Sequence, residues 1–470
     1  MRILLPTGSA TFEIVKKAAE GMDAAVVVTG EIASFLTPAH LERLLCEDRY
    51  DLVLVPGMCT ASFAEVEQRT GVPIYRGPRH AADLACILPL LGKVTFSRTV
   101  PADDLLASER FAEAMEAVAR KEEEAEGEYL IRGVKIGGNA RMKVLAEIMD
   151  AHKEEDIRTK VLLSFLSGAD IVDLGFGFDA TPEDVKRVFS ALEDIPGPLS
   201  IDTQDPVLIA AGLMRADLVL SLSDQNIAQV GSLVARSGAG AVVVPGQRSL
   251  EENIRLAESA GISCIIADPL IAPVGSGLVP SLMHFRNTGY PLFFGAGNVA
   301  ELLDADSIGV NALLAGMAME VKASVLFTSE HSDKTRGAVR EMRRATEMMV
   351  LAAERPYPKD LGIDLLVLKE KRRRREPPLN YREEIPAGEM PQEITYDPCG
   401  NFRIGIEGKE IVAEINGRAY RGSSWAGVFS AIQERGQVSR LDHAAYLGAE
   451  LYKAELAIRF GRSFEQDGPF

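Results

Sequence analysis

Three short apolar runs that each end in a carboxylate restrict what this chain can become more than any other feature. They are Ala169-Asp170-Ile171-Val172-Asp173-Leu174-Gly175, Leu199-Ser200-Ile201-Asp202 and Cys264-Ile265-Ile266-Ala267-Asp268. Runs that are apolar throughout, rather than alternating, belong to strands covered on both faces. Such strands build parallel α/β sheets and barrels, whose active sites collect at the C-terminal strand tips. An aspartate there is also a good helix N-cap, so for any single one the two readings compete. Three in one segment favour a site.

The same rhythm extends over residues 129–356. Strand candidates fall at 131–137, 169–175, 199–202, 218–223, 241–244, 264–268, 292–295 and 324–328. Amphipathic stretches lie between them, such as the one opening at Pro182 behind an N-cap Thr181. Eight such units in a row predict a (β/α)8 TIM barrel. The unusual polar clusters then gather at one rim. They include Gly137-Gly138-Asn139, Asp173, Asp202-Thr203-Gln204, Ser221 to Asp224, Asp268-Pro269, Gly295-Ala296-Gly297-Asn298 and Ser329-Glu330.

The flanks read differently. Residues 1–125 alternate strands (2–5, 24–28, 51–57) with helices, as a small Rossmann-like α/β parallel-sheet domain does. Neither a GxGxxG nor a P-loop is present, so the glycine turns after the first and third strands read as helix caps rather than a nucleotide site. The charged segment 120–128 marks the boundary with the barrel at 129–356. Residues 357–395 form a linker whose basic run, Lys369 to Glu376, ends in Pro377-Pro378. Residues 396–470 predict a small α+β domain. Alternating Phe402, Ile404, Ile406 and Ile411, Ala413, Ile415 form a hairpin, and two helices follow near 424–435 and 440–460. Asp442 and His443 are neighbours on a helix and point apart, so a structural or interface role is expected there.

A formal net charge of -17 over 470 residues argues against a nucleic-acid partner. Five scattered cysteines without a paired spacing predict a reducing cytoplasm. The N-terminus enters a strand directly, no apolar stretch is long enough to span a bilayer, and the histidines and cysteines have no zinc-ligand spacing, so no metal-ligating residue is assigned.

Rim carboxylates suit a ligand with several N–H donors in one plane, because each forms a charge-assisted, bidentate pair with a guanidine-like edge. A 2-amino-4-oxo pterin has such an edge. The competing reading is a Mg²⁺ site for a phosphorylated substrate. Schiff-base chemistry needs a lysine in the mouth, and the tip clusters contain none.

On these motifs the chain resembles the pterin-binding barrels of dihydropteroate synthases and methyl-tetrahydrofolate-type methyltransferases. Over its full length it is similar to the dihydropteroate synthase-like proteins of organisms that use tetrahydromethanopterin. The resemblance implies that Asp202 and Asp268 bind the pterin, with Asp173 and Ser221 close by. It places Asn139 where the synthases meet diphosphate and Mg²⁺. Asn298 stands where the methyltransferases approach N5 of the reduced pterin. Arg141, near the first loop, would supply charge to a leaving group. The synthase sequences after strands one and two are altered here, and Asn298 replaces their lysine after strand seven, which points away from ordinary folate-type synthesis. The implied activity is that of a transferase in tetrahydromethanopterin metabolism, with a reduced pterin as cofactor or substrate, Mg²⁺ as a companion ion, and a corrinoid protein or a second copy of the chain as partner. The alternatives are methyl transfer to a corrinoid or thiol, and non-catalytic pterin binding.

Overall fold

The structure is a computed structural model that describes residues 1–355, 357–359, 361–370, 379, 381–388 and 395–469. Most of the basic run read as a linker, residues 371–378, lies outside the described residues. Two compact units are formed, 1–377 and 378–470.

The first unit opens with a parallel sheet in the order β2-β1-β3-β4, made of β1 (Ile3–Gly8), β2 (Ala24–Gly30), β3 (Leu52–Val55) and β4 (Ile74–Arg76). Thr37 caps the helix Pro38–Glu47 by accepting the His40 N–H at 3.3 Å. Gly57 is needed for packing. A Cβ there would stand 2.6 Å from the Gly77 carbonyl oxygen. The charged segment read as a boundary is the end of a 23-residue helix, Ala102–Glu124. That helix packs on Ala338–Ala352 through a cluster that includes Ala114 and Ala352.

Next comes a two-stranded antiparallel hairpin, β5 (Tyr129–Ile131) and β6 (Val134–Ile136), turned by Arg132 and Gly133 at φ 43° and 87°. The eight parallel strands that close into a barrel follow it. They are β7 (Lys143–Ile148), β8 (Ile171–Gly175), β9 (Leu199–Asp202), β10 (Leu218–Leu222), β11 (Gly240–Val243), β12 (Ile265–Ala267), β13 (Leu292–Phe294) and β14 (Ala323–Ser329).

Seven of the eight expected strands are barrel strands. The first is not: residues 131–137 belong to the hairpin, and the first barrel strand is β7. Two facts place the hairpin at the N-terminal end of the barrel. Arg132 pairs at 3.0 Å with Asp217, the residue just before β10. Ile131 and Ile136 join Leu145, Ile171, Leu218, Ile266 and Val325 in the cluster that fills the barrel interior. The hairpin is therefore an apolar plug beneath the barrel.

Strand alternation assigns each residue a side. Val144, Ala146, Val172, Leu174, Ile201, Ile265 and Ala267 pack outward against the helices. Leu145, Ile171 and Ile266 point inward. By the same period of two, Glu147, Asp173, Asp202, Asp268 and Ser329 also face the axis, one step nearer the C-terminal mouth. The register agrees, pairing Glu147 with Asp173 and Ser329 with Glu147.

The second unit is a three-stranded antiparallel sheet, β15 (Arg403–Glu407), β16 (Glu410–Ile415) and β17 (Arg418–Gly422), covered by helices Trp425–Glu434 and Leu441–Phe460. The expected hairpin is its first two strands. The third follows a turn at Asn416-Gly417, φ 50° and 75°, the pairing that favours tight hairpins. His443 meets Asp442 only through its backbone N–H, which donates to Asp442 Oδ1 at 2.9 Å, and its ring turns elsewhere. Its Nδ1 lies 3.1 Å from Asp397, which also accepts the N–H groups of Cys399, Ser439 and Arg440.

Candidate functional site

The barrel mouth carries a layer of inward carboxylates. One oxygen each from Glu147, Asp173 and Asp202 lies within 4.8 Å of the others. Asp173 is fully buried, accepts a hydrogen bond from the Ser200 hydroxyl, and has no partner for Oδ2 among the described residues. Across the mouth, Asp268 is buried and uses Oδ1 to accept the Leu270 N–H at 2.8 Å, which closes its own turn. Ser221 is half-buried at the end of β10, and its carbonyl accepts from Asn226. Asn298 is exposed in the short helix Ala296–Ala300 that starts at the tip of β13.

Burial disfavours charge in this layer, and the carboxylates repel one another. Glu147 is pushed up to about 7, by burial first and then by Asp202 and Glu301. Burial raises Asp202 to about 6 and Asp268 to about 7. Asp173 lies well above the usual carboxylate range, through burial and then the charges of Asp202 and Glu147. The cluster titrates as a unit and holds protons near neutrality. It can accept N–H donors once ionised, donate while protonated, or exchange its protons for a hard cation, because its donors are all oxygens. Glu301 behaves oppositely. Burial pushes it up, but donors from Ser332, Thr335, His331 and Ser329 outweigh burial and hold it near 2. It anchors the loop after β14.

A raised carboxyl stabilises the fold below its unfolded pKa, and that contribution is lost as pH rises through the folded value. For Glu147 the window runs from 4.5 to about 7. Glu147→Gln, which imitates the protonated form, is therefore expected to raise stability at pH 8 by up to about 3 kcal/mol. Below pH 4.5 it should change little. Thermal unfolding across pH reads this difference. A variant no more stable than wild type at pH 8 contradicts it.

Two residues expected at the mouth are elsewhere. Asn139 and Arg141 precede β7 and so lie at the N-terminal end of the barrel. The Asn139 side chain accepts the Glu126 N–H at 2.7 Å, tying the hairpin to the preceding helix. Arg141 is buried, pairs with Asp170 at 2.6 Å, and donates to Thr346 and the Met142 carbonyl. Neither approaches the rim. Strand one brings Glu147 and Asp150 to it instead. A cavity of about 470 Å³ opens beside β7 and β14, with Glu147, Asp150, Lys153, Lys160, Ser329 and Glu330 in its wall. Both lysines already have carboxylate partners, Lys153 in Asp150 and Asp179, Lys160 in Glu154.

A family model described as PterinBD-DUF4346 matches residues 396–467. The uncharacterized protein MJ0107 of Methanocaldococcus jannaschii is 34% identical over 517 aligned positions, spanning 99% of this chain and 98% of the relative. Among solved structures, dihydropteroate synthase from Thermus thermophilus, in complex with 6HMPPP, is 23% identical, with 44% of this chain and 92% of that one covered, at a TM-score of 0.35. The Yersinia pestis enzyme with a pterine-sulfa conjugate is 17% identical, with 45% and 94% covered, at 0.38. The Coxiella burnetii enzyme in complex with pteroic acid is 21% identical, with 46% and 94% covered, at 0.35.

Proposed function

From the premise that this chain belongs to the same family as the uncharacterized Methanocaldococcus jannaschii protein MJ0107, we propose that its barrel binds a reduced pterin of the tetrahydromethanopterin class and acts as a transferase on it. The observation that carries this reading is the layer of inward carboxylates on β7, β8, β9 and after β12. In their ionised form, Asp202 and Asp268 accept the 2-amino and ring N–H groups of the pyrimidinone. Glu147 and Asp173 stand beside Asp202 and take up or release a proton as the ligand arrives.

Two reactions fit a bound pterin. Condensation with an arylamine needs a positive group near the departing diphosphate. Arg141 is the residue that the sequence offers for this, and its place at the opposite end of the barrel weakens that version. Methyl transfer needs N5 polarised, and Asn298, exposed at the tip of β13, supplies a neutral hydrogen-bonding group there. This favours transfer of a methyl group to a corrinoid or thiol on a partner. Mg²⁺ is the competing occupant of the three-carboxylate cluster, whose oxygen donors suit it.

The test is label transfer from isotopically labelled methyl-tetrahydromethanopterin to a corrinoid protein or thiol. Transfer that collapses in Asn298→Ala, with pterin affinity retained, supports the reading. Tight pterin binding with no transfer makes the protein a carrier. Product formed from a hydroxymethyl-dihydropterin diphosphate and an arylamine restores condensation.

A further inference from the structure

A second polar cluster lies outside the carboxylate layer. Asp150 follows the tip of β7, His152 is two residues on, and Asp179 lies in the loop after β8. One ligand atom from each falls within 4.8 Å of the others. The His152 side chain is 7% exposed, stacks on Phe176, and has no hydrogen-bond partner at either ring nitrogen among the described residues. Its Nε2 points to Asp179 Oδ1 at 3.4 Å without hydrogen-bond geometry. Buried imidazole nitrogens are rarely left unpaired. Both carboxylates converge on Gly177, where a Cβ would stand 2.7 Å from Asp150 Oδ1 and 3.1 Å from Asp179 Oδ1. Their other oxygens hold the Lys153 ammonium, at 3.1 and 3.0 Å. A cation already occupies the outer side of the cradle, supplied by a side chain that is half exposed.

We propose that Asp150, His152 and Asp179 form a site for a divalent first-row transition ion, with Lys153 as the internal cation that it displaces. Two carboxylates and one imidazole select such an ion over Mg²⁺ or Ca²⁺, which take oxygen donors alone. Asp150 also belongs to the wall of the cavity beside β7, which gives the ion a path in. The site stands on residues that the pterin reading does not use, so either can fail alone.

Mn²⁺ is the probe, because it avoids the exposed thiols of Cys46 and Cys86. Binding to the full chain is followed by loss of the free-ion EPR signal. One site is expected in wild type. Lys153→Met should tighten it by about two- to fivefold, the range for removing a competing exposed ion pair. Asp179→Asn and His152→Gln should each weaken it at least about tenfold. Asp179 is 63% exposed, so its variant does not depend on the core. Absence of binding in both wild type and Lys153→Met overturns the proposal. So does a site that survives Asp179→Asn and His152→Gln but is lost in Glu147→Gln, since it would belong to the inner carboxylates.

Discussion

Replacing Arg141 with methionine is expected to cost about 3 kcal/mol of stability at pH 7 and to leave ligand affinity unchanged. The guanidinium is 3% exposed and bonded to Asp170, which is itself 12% exposed. Removing one partner of a buried pair leaves the other charge uncompensated. The loss falls at the low end of the usual range because Arg343 remains 3.1 Å from Asp170 and the Val144 N–H still reaches its second oxygen. Burial pushes Asp170 up, but Arg141, Arg343 and Val144 together hold it below its ordinary value. A depressed carboxylate stabilises above its unfolded pKa, and that contribution disappears as pH falls through the folded one. The gap between variant and wild type should therefore narrow below pH 3.8. Urea unfolding across pH measures it. Unchanged stability with weakened ligand binding would return Arg141 to the site.

The second large effect concerns Asp202 and Asp268. If each accepts N–H groups of the pterin, changing either to asparagine removes a charge-assisted bond worth about 1.5–3 kcal/mol. That is roughly ten- to hundredfold in affinity. Both side chains have raised pKa values, about 6 and about 7, so their ionised forms are costly in the empty fold. Asparagine relieves that cost, and thermal stability at pH 8 should hold or rise while affinity falls. A parallel loss of stability and affinity would mean that the substitutions disturb the barrel rather than the ligand.

Much of this was legible in the chain because a period of two and a closing carboxylate are local properties. β8 and β12 are apolar up to their aspartates and β9 is broken only by Ser200, so strand, inward face and carboxylate can be read together. Thr181 was readable as an N-cap for the same reason, and the capping box with Asp184 completes it. β7 is not legible as a strand because its inward face begins with Lys143 and ends with Glu147, so it does not read as an apolar run. Lys143 is tolerated because Glu122 pairs with it at 2.9 Å, a contact made across the chain that no local pattern reveals. The shift of strand one by twelve residues carried Asn139 and Arg141 to the wrong end and hid Glu147 and Asp150. The Arg132-Gly133 turn inside residues 131–137 was the signal that those residues double back. β17 lies outside the expected hairpin, and the Asn416-Gly417 turn before it is its local signal. The Asp397 partner of His443 lies 46 positions away and required the folded chain.

Titration calorimetry of the wild-type chain at pH 8 distinguishes a carboxylate layer that recognises a pterin from one that binds a metal-bound phosphate. The chain would be titrated with a reduced pterin without Mg²⁺, and separately with inorganic phosphate in the presence of Mg²⁺. Saturable single-site binding of the pterin that needs no metal is expected, with no comparable phosphate binding. No pterin binding up to millimolar concentration, together with Mg²⁺-dependent phosphate binding, would contradict it.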